Sequence, residues 1–168
     1  DDGKYRIKDK TADMAYKDLI AFYQNINTQY HLLYLEDGLA QDDWDGWQQL
    51  SNTMSAQTLI VGDDLTATIP LRLQEAILKR AITGIVIKPN QIGTVIEALA
   101  VSEMARLAGL KIIVAHRSGE TNDDFIADFS VAVSADYVKF GAPARGERVA
   151  KYNRLLQIES QLKSLQTK

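Results

Sequence analysis

Five short apolar runs set the rhythm of the chain. They are LLYL (32–35), TLIV (58–61), GIVI (84–87), KIIVA (111–115) and YVKF (137–140). The first four do not alternate with polar residues, which is the pattern of parallel strands covered on both faces. YVKF is weaker and is assigned a strand from its place in the series. Between the runs, apolar residues recur at helical spacing, which predicts helices over 11–26, 42–54, 71–82, 94–109, 122–134 and 148–165. The predicted ends carry suitable chemistry. Thr11 is an N-cap candidate, and Asp42, Asp43 and Asp45 favour the positive end of a helix dipole. Pro70 suits a first turn, and Gly109 suits a C-cap.

The order is therefore one helix followed by five βα units. The polar residue at the end of each apolar run is Glu36, Asp63 (after Gly62), Lys88, His116 and Lys139, in steps of 27, 25, 28 and 23 residues. A period near 25 is the length of one βα unit. Two architectures fit. One is an open doubly wound sheet, complete with five strands. The other is part of an eight-fold βα barrel, for which 168 residues are too few to make the whole. In a barrel every strand ends at one mouth, so ionisable groups on successive strands can reach one ligand. In an open sheet the outer strands end far from the switch point. Ionisable groups at all five ends favour the barrel, with residues 1–168 as one partial domain.

Composition narrows the functional classes without changing the fold. Hydrophobic residues make up 46% and charged residues 24%, ordinary for a globular chain. A net charge of −3 argues against a general nucleic-acid surface, while a few local cations could still hold a small anion. No apolar run approaches the length of a membrane span, and the polar start carries no secretory signal pattern. With no Cys there is no disulfide or thiolate metal site, which fits a cytoplasmic protein.

The strand ends then read as chemistry. Glu36 and Asp63 offer the oxygen ligands that a hard cation such as Mg2+ takes. Lys88 and Lys139 place two ammonium groups near each other, and their repulsion would make one a candidate base. His116, Arg117 and Ser118 offer donors to a phosphate or oxyanion. Each group alone has a plainer reading. A single acid after a strand is usually a cap or a solvated loop residue, as expected for Asp37 and Asp64. ETNDD (120–124) is good helix-start sequence. Trp44 and Trp47 are expected to pack, and His31 is expected at the surface.

YLEDGLAQDDWDGW (34–47), VGDDLTAT (61–68), IKPNQIGT (87–94), AHRSGET (115–121) and KFGAPARGERVAKYNRLLQIE (139–159) resemble the successive motifs of the enolases, over about residues 34 to 160. The opening DDGKY is similar to the stretch just after that family's first metal-binding Asp. The resemblance implies an α/β fold made of about five βα units from the C-terminal part of an enolase-type TIM barrel. It also implies Mg2+-dependent interconversion of 2-phosphoglycerate and phosphoenolpyruvate, a lyase reaction of glycolysis, in a parent that is cytoplasmic and homo-oligomeric. Carried over by motif, Glu36 and Asp63 become metal ligands and Lys88 the base. Lys139 contacts the substrate carboxylate, Arg117 and Ser118 the phosphate, and His116 lines the substrate site.

The departures from the family bear on activity. The N-terminal capping domain, the first three strands, the third metal carboxylate, the general-acid Glu and the closing loop have no counterpart in this sequence, so the isolated chain is expected to turn over little or no substrate. Pro89, Phe140 and Ala115 stand where many enolases have Val, Thr and Ser. Two other readings remain open: a non-catalytic half-barrel that associates with itself, and a superfamily member acting on another acid sugar.

Overall fold

The computed structural model describes residues 4–8 and 13–166. The expected Thr11 cap and the opening DDG lie outside them. Helix α1 spans Tyr16–Tyr30 and starts later than its periodicity suggests. The Asp18 carboxylate accepts the Ala15 N–H at 3.0 Å, meeting one of the unpaired donors at that end. His31 closes the helix in a left-handed conformation at the surface.

Then follow β1 (Tyr34–Glu36), α2 (Trp44–Met54), β2 (Leu59–Gly62), α3 (Pro70–Leu78), β3 (Gly84–Ile87), α4 (Pro89–Ile92), α5 (Val95–Leu107), β4 (Lys111–Ala115), α6 (Phe125–Ala132), β5 (Tyr137–Lys139) and α7 (Gly146–Gln166). All five expected strands are present, YVKF included. The one-turn α4 was not expected. It begins at Pro89, whose fixed φ suits a first helical position.

The five strands are all parallel, in the order β1-β2-β3-β4-β5. A doubly wound sheet reverses its strand order at a switch point. This sheet never does, and right-handed crossovers then put every helix on one face. The architecture is a partial βα barrel.

The two faces of the sheet divide its side chains by the period of two. Ile60, Ile85, Ile87, Ile112 and Val114 join the helices in one large core that includes Trp47, Leu73, Val101 and Phe140. Val61, Val86, Ile113 and Ala115 form a second, smaller cluster on the other face, with Tyr34 and Leu59 beside it. That face is the barrel interior. Gly84 belongs to it, and a Cβ there would lie 3.1 Å from Val61 Cγ2 and 3.3 Å from Ile113 Cδ1. Trp47 is fully buried with its indole N–H donating to the Ala40 carbonyl, and Trp44 lies under the Arg72 guanidinium. Both tryptophans pack, as expected.

Candidate active site

The strands lead their interior-facing residues to one end of the sheet. The alternation that points Tyr34 inward also points Glu36 inward; Val61 leads to Asp63, Val86 to Lys88, and β5 delivers Lys139. At that end the four charges meet. The Lys88 ammonium donates to both Asp63 oxygens, at 2.8 and 2.5 Å. Lys139 Nζ lies 2.5 Å from Glu36 Oε1 and 3.5 Å from Asp63 Oδ2. Glu36 and Lys139 are 103 residues apart in sequence. The Tyr34 hydroxyl donates to the other Glu36 oxygen, and burial together with that bond pushes its phenol well above the ordinary tyrosine range.

Each ammonium thus has a carboxylate partner, and Lys139 bridges the two acids. The Lys88–Asp63 pair is nearly enclosed, with 12% and 7% of the side chains exposed. Removing one member of such a pair strands the other charge out of water.

The backbone around these groups is held by side chains that the sequence alone did not single out. The Lys88 N–H donates to Thr68 Oγ1 at 3.0 Å, and the Thr68 hydroxyl donates to Gln91 in α4 at 2.9 Å. Ala67 and Thr68 both have positive φ (46° and 57°), a strained conformation for a β-branched residue. Asp37 is not the helix cap or solvated loop residue expected; it is half-buried and braces the end of β2 from across the sheet. Its two oxygens accept the N–H groups of Asp63 and Asp64 at 2.9 and 2.8 Å, and its burial raises its carboxyl above the usual range.

The β4 end behaves differently. After Ala115 on the interior face, His116 turns to the helical side, where its ring packs 6.3 Å from that of Phe140. It does not join the carboxylate–lysine network. Desolvation pushes its imidazole below the ordinary 6.5; Glu120 opposes this, and Arg148, Lys151 and Lys139 add to it. Arg117 and Ser118 are exposed on the following loop. The Arg117 guanidinium reaches Asn90 at 3.4 Å, beside a cleft of about 200 Å³ lined by Pro89, Asn90, His116, Arg117, Glu120 and Phe125. Among the described residues, His116 Nδ1 and Arg148 Nε are buried polar atoms without a hydrogen-bond partner. Phe140 is fully buried between His116 and Tyr152, which explains how an aromatic is accommodated directly after Lys139.

The donors suit a hard divalent cation in kind. Mg2+ is commonly held by one or two carboxylates with water and substrate oxygens completing its shell. Glu36 and Asp63 already face a common cation, the Lys139 ammonium. Among the described residues no group of three or more His, Asp or Glu converges as a ligand set. No helix there is long and apolar enough to cross a membrane.

Comparison with known proteins agrees with this geometry. The family described as "Enolase, C-terminal TIM barrel domain" matches residues 1–167. The enolase of Aeropyrum pernix is 47% identical over 158 residues, covering 94% of this chain and 36% of that protein. The enolase of Nitratiruptor sp. is 46% identical, covering 96% of this chain and 38% of its own length. That of Helicobacter pylori is 45% identical, covering 95% and 37%. The chain thus spans a little over a third of the length of these curated relatives. A five-stranded parallel half-barrel with its charges gathered at one mouth, matched along nearly its whole length, belongs to the enolase family, within its C-terminal TIM barrel domain.

Proposed function

We propose that this chain carries one side of an enolase active centre, from a parent that interconverts 2-phosphoglycerate and phosphoenolpyruvate. The observation that carries this reading is the meeting of Glu36, Asp63, Lys88 and Lys139 at one end of the sheet. The proton next to a carboxylate is very weakly acidic, so its removal needs a base and positive charge where negative charge develops. Lys88 is the base. Lys139 faces the substrate carboxylate and holds the developing charge. Glu36 and Asp63 hold Mg2+, which supplies further positive charge when bound. Enolases are themselves a standard case of a Lys base paired with this cation. Arg117 and Ser118 bind the phosphate from the β4 lip, and His116 supports that lip. All 168 residues act as one portion of the barrel domain. A homo-oligomeric, cytoplasmic parent belongs to the same reading and rests on the family alone.

Lys88 is paired with Asp63, so a cation held by Glu36 and Asp63 would compete with Lys88 for the Asp63 carboxylate. The chain by itself is expected to be inactive or nearly so, because groups acting as a unit fail together. Among its described residues no group of three carboxylates or imidazoles is placed to hold a cation. The test is phosphoenolpyruvate formation from 2-phosphoglycerate by the purified chain with Mg2+. Turnover indistinguishable from the blank is expected. A rate near that of a whole enolase would refute the division of labour stated here.

A further inference from the structure

Lys151 is a fully buried cation that the chemistry above does not use. It lies in α7, far from the mouth in sequence, and its ammonium makes three short contacts. These are to Glu120 Oε2 at 2.8 Å and to the carbonyls of Thr121 and Glu147, each at 2.7 Å. An ammonium has three protons, so this one is fully satisfied. Glu120 in turn uses its other oxygen to accept the Arg117 N–H at 2.9 Å. The chain of contacts therefore runs from the interior of α7, through one carboxylate, to the backbone of the residue read as the phosphate clamp.

We infer that Lys151 is a positioning residue: through Glu120 it fixes the backbone of the β4–α6 loop so that Arg117 presents its guanidinium at the mouth. Three features support this. First, Arg117 and Ser118 are exposed, and the loop has little apolar packing to hold it. Second, Lys151 grips the loop at two successive residues, Glu120 and Thr121, so it sets a direction as well as a distance. Third, an ion pair whose cation is wholly removed from water keeps its strength, whereas an exposed pair contributes little. A Lys buried only for packing would not need a charged partner that itself holds a backbone N–H.

The assignment of a phosphate to Arg117 rests on the function proposed above, so the experiment reads the two claims separately. Amide hydrogen exchange is measured by NMR on the 168-residue chain and on its Lys151→Met and Glu120→Gln variants. Each protein is then titrated with phosphoenolpyruvate. In Lys151→Met the Arg117 amide is expected to exchange at least tenfold faster while Val86 in β3 is unchanged. Glu120→Gln keeps an acceptor for that N–H but loses the ion pair, and it should give a smaller acceleration. It also serves as the working variant should Lys151→Met not fold. The affinity for phosphoenolpyruvate should fall tenfold or more in Lys151→Met. Arg117 exchange that is unchanged in both variants, or that rises only in step with Val86, would overturn the positioning role. A loosened loop with unaltered phosphoenolpyruvate affinity would overturn it as well. If the unaltered chain binds no phosphoenolpyruvate, the phosphate reading fails and the exchange result alone decides the role of Lys151.

Discussion

At the mouth, single side chains do several tasks. Thr68 accepts the Lys88 N–H and donates to Gln91 while held at a left-handed φ. Thr68→Val keeps the shape and removes both bonds, leaving a buried N–H unmet. It should cost about 1–3 kcal/mol in urea denaturation, and an unchanged midpoint would show that the hydroxyl is dispensable. His116 offers a test by pH. Its folded-state pKa is depressed below the ordinary 6.5, chiefly by desolvation, so the unfolded chain takes up the proton first. Stability from this group is then complete above pH 6.5 and is lost as pH falls through the folded value. Replacing His116 with Gln should flatten the stability–pH curve just below pH 6.5. An identical slope in the variant would mean that the imidazole does not carry the effect. Which face His116 takes was not legible in sequence. Alternation past Ala115 puts His116 on the helical side once the interior face of β4 is known, and its ring packs there against Phe140.

Elements were read from their period and located by their ends. The strands fell where unbroken apolar runs lay, because both faces of this sheet are covered near its middle. Their register was not legible, since it depends on what each interior position can admit. Gly84 shows this. It sits opposite Val61 and Lys111, where an added side chain would press on Val61, Ile113 and the Lys111 carbonyl. Gly84→Val is expected to cost about 1–3 kcal/mol by overpacking. A variant as stable as the parent, by thermal melting, would show that the interior has room to spare. The helices were found by their apolar faces, but α7 hid its key residue. It reads as a polar surface helix with Lys at an ordinary position, and Lys151 is buried only because Glu120 and Thr121 meet it across 30 residues of chain. The single turn α4 is too short to show a period at all.

For the whole molecule, ionisable groups at all five strand ends favoured a barrel over a doubly wound sheet, and the uninterrupted strand order bears that out. The spacing could not show which charges pair. Lys88 rests on Asp63 because they end the neighbouring strands β3 and β2, and Lys139 reaches Glu36 because barrel curvature brings the fifth strand end toward the first. The claim that these four residues form one cation-dependent site is tested most directly with Mn2+ as a paramagnetic stand-in for Mg2+, titrated into the isotopically labelled chain. Broadening is expected to centre on the Glu36 and Asp63 resonances and to weaken at least tenfold in Asp63→Asn. Broadening centred elsewhere, or unaffected by that substitution, would contradict the site.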